Sequence, residues 1–281
     1  MGVTVGDRTL GAFGCRHSRG QRKYPTSPIE TALTLRLLLF PAPPPGRGAS
    51  AVALRDYGLE LSAPDYTTLS RRGQFLDVTL RRVPTGGGLH LIVDSSGLSI
   101  VGEGEWARAK HGVRGTRGWK KLHLGVDRSG VIIAHALTEA TVDDATTAIA
   151  LIKAVDGRLT SVTGDAAYDT IAFYDAAGAR GATIVVPPAK TARVSRRKPR
   201  SSARDRTIRK VHAVGRQQWK KGSGYHRQAR VENAFFRYKL IIGEGLRARS
   251  PAAQGTETVL ACHILNQMTQ RGRPASYAIG R

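Results

Sequence analysis

Three acidic residues stand out in this chain because of the residues around them. Asp94 and Asp165 each directly follow an apolar run, and Glu232 is the only acid in the strongly basic stretch 225–239. Residues that follow apolar strands lie where α/β sheets place ligand sites. Carboxylate oxygens are side-chain ligands that suit Mg²⁺. Together the three acids suggest a metal site.

Such a site suits the cleavage of a phosphodiester bond. That reaction needs an activated water and a stabilised leaving oxygen, and two divalent ions about 4 Å apart can supply both. Without metal, clustered carboxylates repel one another and raise the pKa of at least one of them. We therefore expect a raised pKa among these acids in the metal-free protein.

Each acid also has an ordinary structural explanation. Aspartates at strand ends are often caps or turn formers, and an acid on a basic helix often forms a surface salt bridge, which is worth little. An ordinary ion pair within the helix is not available to Glu232, because residues three or four positions away would have to supply it. Those positions hold Gln228, Ala229, Phe235 and Phe236.

The elements that must position these acids follow from apolar periodicity and turn signals. Four further aspartates fit structural roles: Asp127 in a hairpin turn, and Asp143, Asp144 and Asp169 at helix N-termini. The order of elements predicts a mixed sheet with helices on its faces. The predicted strands are 89–93, 120–126, 131–136, 159–163 and 182–186, and the predicted helices are 143–155, 169–177 and 225–242.

The N-terminal part has a different pattern. Residues 1–20 are rich in Gly and Arg, which predicts a disordered tail. Helical spacing predicts a helix over 29–40, the proline run 41–45 must stop it, and Asp65 begins a second helix over 66–80. The glycines at 86–88 indicate a linker. The predicted organisation is therefore a tail (1–20), a helical region (21–85), an α/β domain (86–270) and a second tail (271–281).

The charge balance indicates a polyanionic partner. The 281 residues include 44 Lys and Arg against 21 Asp and Glu, a formal net charge of +23. Such an excess favours phosphate neutralisation and counterion release, although a ribosomal or merely sticky basic protein has the same composition. Cys15 and Cys262 suggest neither a disulfide framework nor a zinc site. With no secretion signal and no apolar run long enough for a bilayer, we expect a soluble cytoplasmic protein.

Four motifs carry a resemblance to a known family. They are Ile92–Gly97, Trp119–Leu124, Gly164–Asp169 and the stretch Tyr225–Lys239. They resemble those of bacterial insertion-sequence transposases with an Asp-Asp-Glu core, of the insertion-sequence-five-like group in the ribonuclease-H-like (retroviral integrase) superfamily. The resemblance covers roughly residues 20–270.

The family's helix signature is Tyr, two residues, Arg, three residues, Glu, six residues, Lys. Tyr225, Glu232 and Lys239 match it in register, whereas Gln228 occupies the arginine position, with Arg227 and Arg230 nearby. The resemblance implies an α/β ribonuclease-H-like fold preceded by a small helical DNA-binding region.

The resemblance also implies the site and its reaction. Asp94, Asp165 and Glu232 would bind two Mg²⁺ (or Mn²⁺) ions, and the other matching positions would hold phosphate or DNA ends. The enzyme would cut the element's terminal inverted repeats and join the 3′-hydroxyl to target DNA. The expected partner is double-stranded DNA, bound by a homodimer or larger assembly at the nucleoid.

Further basic residues could contact DNA. Residues 193–216 contain ten Lys or Arg and one acid, so we interpret 193–221 as a basic loop that tracks a DNA backbone without reading sequence. Trp219, beside Lys220 and Lys221, could stack on an extruded base or pack in the core. Arg71 and Arg72 lie in a segment that resembles the second helix of a helix-turn-helix.

Two alternatives stay open. The resemblance leads one to expect an amphipathic helix where the proline-rich run 41–50 lies. Together with Gln228, this departure motivates an inactive DNA-binding remnant of such an element. The other alternative is a ribonuclease-H-like nuclease that only hydrolyses.

Overall fold

The computed structural model of the chain describes residues 3–5, 8–9, 26–39, 64–80, 87–101, 118–195 and 202–272. Within these ranges the strands are β1 Val3–Val5, β2 Arg8–Thr9, β3 Leu89–Ile100, β4 Trp119–Val126, β5 Ile132–Glu139, β6 Leu159–Thr163, β7 Thr183–Val185 and β8 Gly245–Leu246. The helices are α1 Thr26–Leu39, α2 Tyr66–Gly73, α3 Asp144–Ala154, α4 Ile171–Ala179, α5 Ser202–Val214, α6 Arg216–Ser223, α7 Ala229–Ile241 and α8 Pro251–Gln270.

The described strands form one mixed sheet in the order β2-β1-β5-β4-β3-β6-β7, and β8 pairs with the far end of β3. Neighbours from β2 to β3 are antiparallel, whereas β3, β6 and β7 are parallel. Parallel neighbours need crossover connections, and α3 and α4 supply them after β5 and β6. The predicted mixed sheet with flanking helices is confirmed.

Alternation along β3 separates the two faces of the sheet. Leu91 and Val93 pack in a cluster with α3 and α4, whereas Ile92 and Leu98 pack in a cluster with α7 and α8. Because successive side chains of a strand point to opposite faces, even-numbered positions of β3 lie on the α7 side. Asp94 is one of them.

The β4–β5 hairpin confirms its sequence prediction. Asp127 Oδ1 accepts hydrogen bonds from the backbone N–H groups of Ser129 at 2.8 Å and Val131 at 3.0 Å. Gly130 has a φ of 89°, which glycine adopts at little cost. Asp143 likewise begins α3 as predicted, accepting from the Thr146 N–H at 2.8 Å.

Several element bounds differ from prediction. The second helix ends at Gly73 instead of continuing to 80, since glycine disfavours helix continuation. The position also suits glycine because a Cβ there would lie 3.3 Å from Leu33 of α1. Thr170, not Asp169, begins α4, because the Thr170 hydroxyl accepts the Phe173 N–H at 3.2 Å. Asp169 instead binds Arg204 and the backbone N–H of Ala189.

The predicted basic loop 193–221 is largely helical, since α5 and α6 span 202–223. Composition alone indicated a solvated loop, but tertiary contacts order these helices. Ile208 and Trp219 are buried, and Arg204 bonds to Asp169. Because Trp219 is only 5% exposed, of its two open interpretations the structure shows core packing.

The N-terminal helices pack on the α/β domain. Ile29 and Ala32 of α1 cluster with Leu69 of α2, and Leu37 joins the core cluster of α7 and α8. The disordered-tail prediction for 1–20 did not include the strands β1 and β2, and β1 pairs with β5. The proline-rich run 41–50 and residues 273–281 lie outside the described residues. No helix in the described ranges is long and apolar enough to cross a bilayer.

Candidate active site

Asp94 lies within strand β3, not at its end. The strand is 12 residues long, and the prediction that it stops at Val93 is wrong. Its length comes from partners that the local sequence does not reveal. β4 pairs with β3 from Ile92 to Ser99, and β8 pairs with Ser99 and Ile100. The carboxylate is half-buried and accepts the Ser95 N–H at 2.8 Å.

Asp165 lies just past the end of β6, the strand that neighbours β3. In the parallel pair β3–β6, Ile92 is the register partner of Thr163, and both acids lie two residues further on. Parallel neighbours are about 4.8 Å apart, so the two aspartates are adjacent. Asp165 follows β6 after one intervening residue, Gly164, and its carboxylate accepts the Ala167 N–H at 2.9 Å to begin a 3₁₀ turn.

The packing of α7 on the sheet sets the position of Glu232. The residues at helical spacing that face the sheet are all buried: Val231, Ala234, Phe235 and Tyr238. Glu232 lies in the first turn of this helix and is exposed. The predicted single helix 225–242 is instead a 3₁₀ turn, Tyr225–Gln228, followed by α7.

Gln228 fixes where this helix begins. It is 3% exposed, and its Nε2 donates a hydrogen bond to the Val93 carbonyl at 3.2 Å. The residue at the arginine position of the signature thus ties the start of α7 to the residue directly before Asp94. Its Oε1 has no hydrogen-bond partner within the described part of the chain. Glu232 follows one helical turn later.

The pKa of Asp94 reflects its burial and the charges of both other acids. Burial raises the pKa of Asp94 to about 6, the Ser95 N–H opposes this, and the charges of Asp165, Glu232 and Asp144 raise the pKa further. The pKa of Tyr225 is also raised, first by burial and then by the charges of Asp165, Glu232 and Asp94. The expected raised pKa in the metal-free site is met at Asp94.

The donor set fits a hard divalent cation, because all three acids offer carboxylate oxygens. Among the described residues, however, no group of three or more His, Cys, Asp or Glu side chains lies close enough to hold an ion. The acids form a pair across β3 and β6, with Glu232 nearby on α7. The carboxylate oxygens of these residues therefore suit a divalent metal ion, but the three side chains do not enclose a site.

The motif Trp119–Leu124 contributes a polar layer on the face of the sheet opposite to Asp94. Lys121 Nζ donates to Asp144 Oδ1 at 3.0 Å, and buried His123 bonds the Thr138 hydroxyl at 2.8 Å. Burial lowers the pKa of His123 to about 4, so the ring is neutral at pH 7. The signal was present in β4, where polar Lys121 and His123 alternate with leucines.

Buried Tyr168 links the two acid-bearing segments. It follows Asp165 by three residues, and its hydroxyl interacts with the side chain of Ser95, the residue after Asp94. Burial, and then the charges of Asp94, Asp144 and Asp165, raise the pKa of its hydroxyl far above the usual range. Tyr168 therefore stays protonated and can keep its interaction with Ser95.

The predicted DNA-contacting residues fall into two groups. The first lies on α6, the 3₁₀ turn and the start of α7, around Glu232, with Lys239 two helical turns further on. Its members are Tyr225, Arg227, Arg230, Lys239, Lys220 and Lys221. Within it, Lys220 Nζ lies 4.7 Å from the centroid of the Tyr225 ring. The second group, Arg71 and Arg72, lies on α2, which packs against α1 and α8.

The strand order β5-β4-β3-β6-β7 with helices on both faces is consistent with a ribonuclease-H-like fold. Residues 85–267 match the family model described as a transposase DDE domain, and residues 11–103 match a second model with the same description. The first match covers more than half of the 281 residues. The chain belongs to the transposase DDE domain family.

Membership fixes the coarse function. The protein is a DDE transposase, and transposases act on DNA. Enzymes of this family typically use divalent metal ions.

Proposed function

We propose that this chain cuts the terminal inverted repeats of an insertion sequence of the insertion-sequence-five-like group and joins the freed 3′-hydroxyl to target DNA. Asp94, Asp165 and Glu232 are its catalytic acids. The observation that carries this proposal is the parallel register of β3 and β6, in which Asp94 and Asp165 each lie two residues beyond the paired residues Ile92 and Thr163. The raised pKa of Asp94, to which Asp165 and Glu232 both contribute, supports it.

The three acids are the ligands of two Mg²⁺ or Mn²⁺ ions in this proposal. When bound, such ions activate the attacking oxygen and stabilise the leaving oxygen of an in-line displacement. The chain's own contribution is positional. Two parallel strands hold Asp94 and Asp165 in register, and the bond from Gln228 to the Val93 carbonyl sets the start of the Glu232 helix.

Residues around the acids hold the DNA. Lys220, Lys221, Arg227, Arg230 and Lys239 neutralise backbone phosphates, which positions the duplex without reading its sequence. Tyr225 is half-buried beside the acids, so its hydroxyl can donate to a phosphate oxygen. Arg71 and Arg72 on α2 contact the terminal repeats. The active complex is a homodimer or larger assembly on DNA, at the nucleoid.

The test is metal-dependent nicking of DNA that carries the element's inverted repeats. Asp165→Asn is expected to lower the rate at least 100-fold, since loss of several kcal/mol of charge stabilisation corresponds to about that factor. The control is Asp175→Asn, the same change at an exposed position of α4. Equal nicking by wild type and Asp165→Asn would overturn the assignment.

The same assay separates the alternatives. Tight, salt-sensitive DNA binding without Mg²⁺- or Mn²⁺-dependent cleavage would identify an inactive DNA-binding remnant. Nicking without any strand-transfer product would identify a hydrolytic nuclease.

A further inference from the structure

A group of basic side chains gathers at the beginning of β3, away from the acids. His90 is the second residue of that strand, and Arg128 lies in the β4–β5 hairpin. The antiparallel register of β3 and β4 pairs Ile92 with Val126, and continuing it by two residues sets His90 beside Arg128. Arg227 lies in the 3₁₀ turn Tyr225–Gln228, which packs on β3 and β6.

The group lies on the same face of the sheet as the acids. His90 and Asp94 are separated by four residues on one strand, so both lie on the α7 side. The same holds for Ser161 and Asp165 on the neighbouring strand. His90 Nδ1 and the Ser161 hydroxyl are hydrogen-bonded at 2.7 Å, which fixes the imidazole ring between the two strands.

The Arg227 side chain packs against a glycine. Gly224 has a φ of 76°, and a Cβ at that position would lie 3.2 Å from Arg227 Nη1. The guanidinium group therefore packs against the Gly224 backbone, where a side chain would displace it.

The three side chains are close enough to repel one another. Burial and then the charges of Arg128 and Arg227 lower the pKa of His90. Burial and then the charge of Arg227 lower the pKa of Arg128. The neighbouring acid, Asp127, is 4% exposed and its carboxylate is occupied by turn hydrogen bonds. An anion bound here would relieve this repulsion.

We propose that His90, Arg128 and Arg227 bind one phosphate of the DNA backbone, on the sheet face that carries the acids. Four residues of β-strand span about 13 Å, so the bound phosphate lies about that far from Asp94. This inference deepens the proposed function and rests on it for the identity of the ligand. The role of this phosphate contact is to fix the register of the duplex relative to Asp94.

The experiment measures DNA binding in chelator, so that no cleavage occurs. Arg128→Gln is expected to weaken binding of inverted-repeat DNA roughly tenfold, the loss of one charged hydrogen-bonded contact. The slope of log K against log salt should fall by about 0.9. The matched control is Lys153→Gln on α3, an exposed cation on the opposite face, and it should leave both quantities unchanged.

A second arm locates the phosphate. Single backbone phosphates are replaced one at a time by neutral methylphosphonates. Wild type should lose affinity at one position near the cut, and Arg128→Gln should lose nothing further there. Inorganic phosphate added alone tests the other source of the same chemistry. If it binds wild type as tightly as the duplex does, the site takes free phosphate and the backbone assignment is wrong.

The outcomes separate this proposal from the one above. If Asp165→Asn abolishes nicking but Arg128→Gln binds DNA like wild type, the active-site assignment stands and the phosphate site is overturned. If wild type never nicks DNA but the Arg128→Gln effects appear at one phosphate, the phosphate site stands and the catalytic proposal fails.

Discussion

At the scale of single residues, the chemistry of Asp94 is set by its place within β3. The strand continues on both sides of it, so the carboxylate is partly withdrawn from water next to two other acids. Desolvation and like charges both disfavour its ionised form. Such a group lowers the stability of the folded protein at neutral pH, in exchange for affinity toward a cation.

This cost should be measurable. The pKa of Asp94 is about 6 in the fold against 3.8 ordinarily. Stability from its protonated form is full below about 3.8 and is lost as pH rises through about 6. In metal-free protein at pH 8, Asp94→Asn should therefore be more stable than wild type, by roughly 1–2 kcal/mol after solvent screening. The gain should vanish by pH 4.

Urea denaturation in chelator at pH 8, 6 and 4 checks this expectation. Asp175→Asn, on the exposed face of α4, controls for the loss of a surface charge and should change stability by less than about 0.5 kcal/mol. Equal stability of wild type and Asp94→Asn at pH 8 would show that the surroundings of Asp94 do not disfavour its ionised form.

At the scale of elements, local signals and tertiary partners account for different parts of the fold. The hairpin around Asp127 and the start of α3 at Asp143 were predictable, because a side chain bonds its own turn. The extension of β3 past Asp94 was not, since its partner strands are distant in sequence. The neighbouring positions of Asp94 and Asp165 depend on strand register, which no local pattern encodes.

The helices between Asp165 and Glu232 show the same division. Their basic composition indicated a loop, yet Asp169 holds α5 against the sheet. The Asp169 side chain is 1% exposed and accepts two bonds from Arg204, from Nε at 2.7 Å and Nη2 at 2.9 Å. A buried carboxylate left without its partner is strongly destabilising. This ion pair therefore couples the basic helix to the segment that follows β6.

Removing the arginine should loosen that coupling. Arg204→Ala is expected to destabilise the protein by about 3 kcal/mol, because Asp169 would keep a buried charge and retain only the Ala189 N–H. Arg206→Ala, an exposed arginine on the same helix, should stay within about 0.5 kcal/mol of wild type. Urea denaturation at pH 7 compares them. Similar losses in both variants would mean that the buried pair does not anchor α5.

At the scale of the whole molecule, the excess positive charge suits a DNA partner. A net charge of +23 attracts DNA over a distance set by ionic strength, while the three acids repel it locally unless cations are bound. Exposed cations on α5, Arg206, Arg209 and Lys210, extend the basic surface beyond the site. Binding should therefore depend steeply on salt, and no single cation should dominate it.

Removing one positive charge from α5 tests whether DNA binding depends on net charge alone or on where the charge lies. Lys210→Gln should lower the slope of log K against log salt by about 0.9, the release of one counterion, and weaken binding equally for related and unrelated sequences. Lys153→Gln removes the same charge from α3. If the net charge alone governs binding, both variants will change the slope alike. If α5 lies along the DNA backbone, only Lys210→Gln will change the slope. The residues between Asp165 and Glu232 would then hold the duplex over the acids.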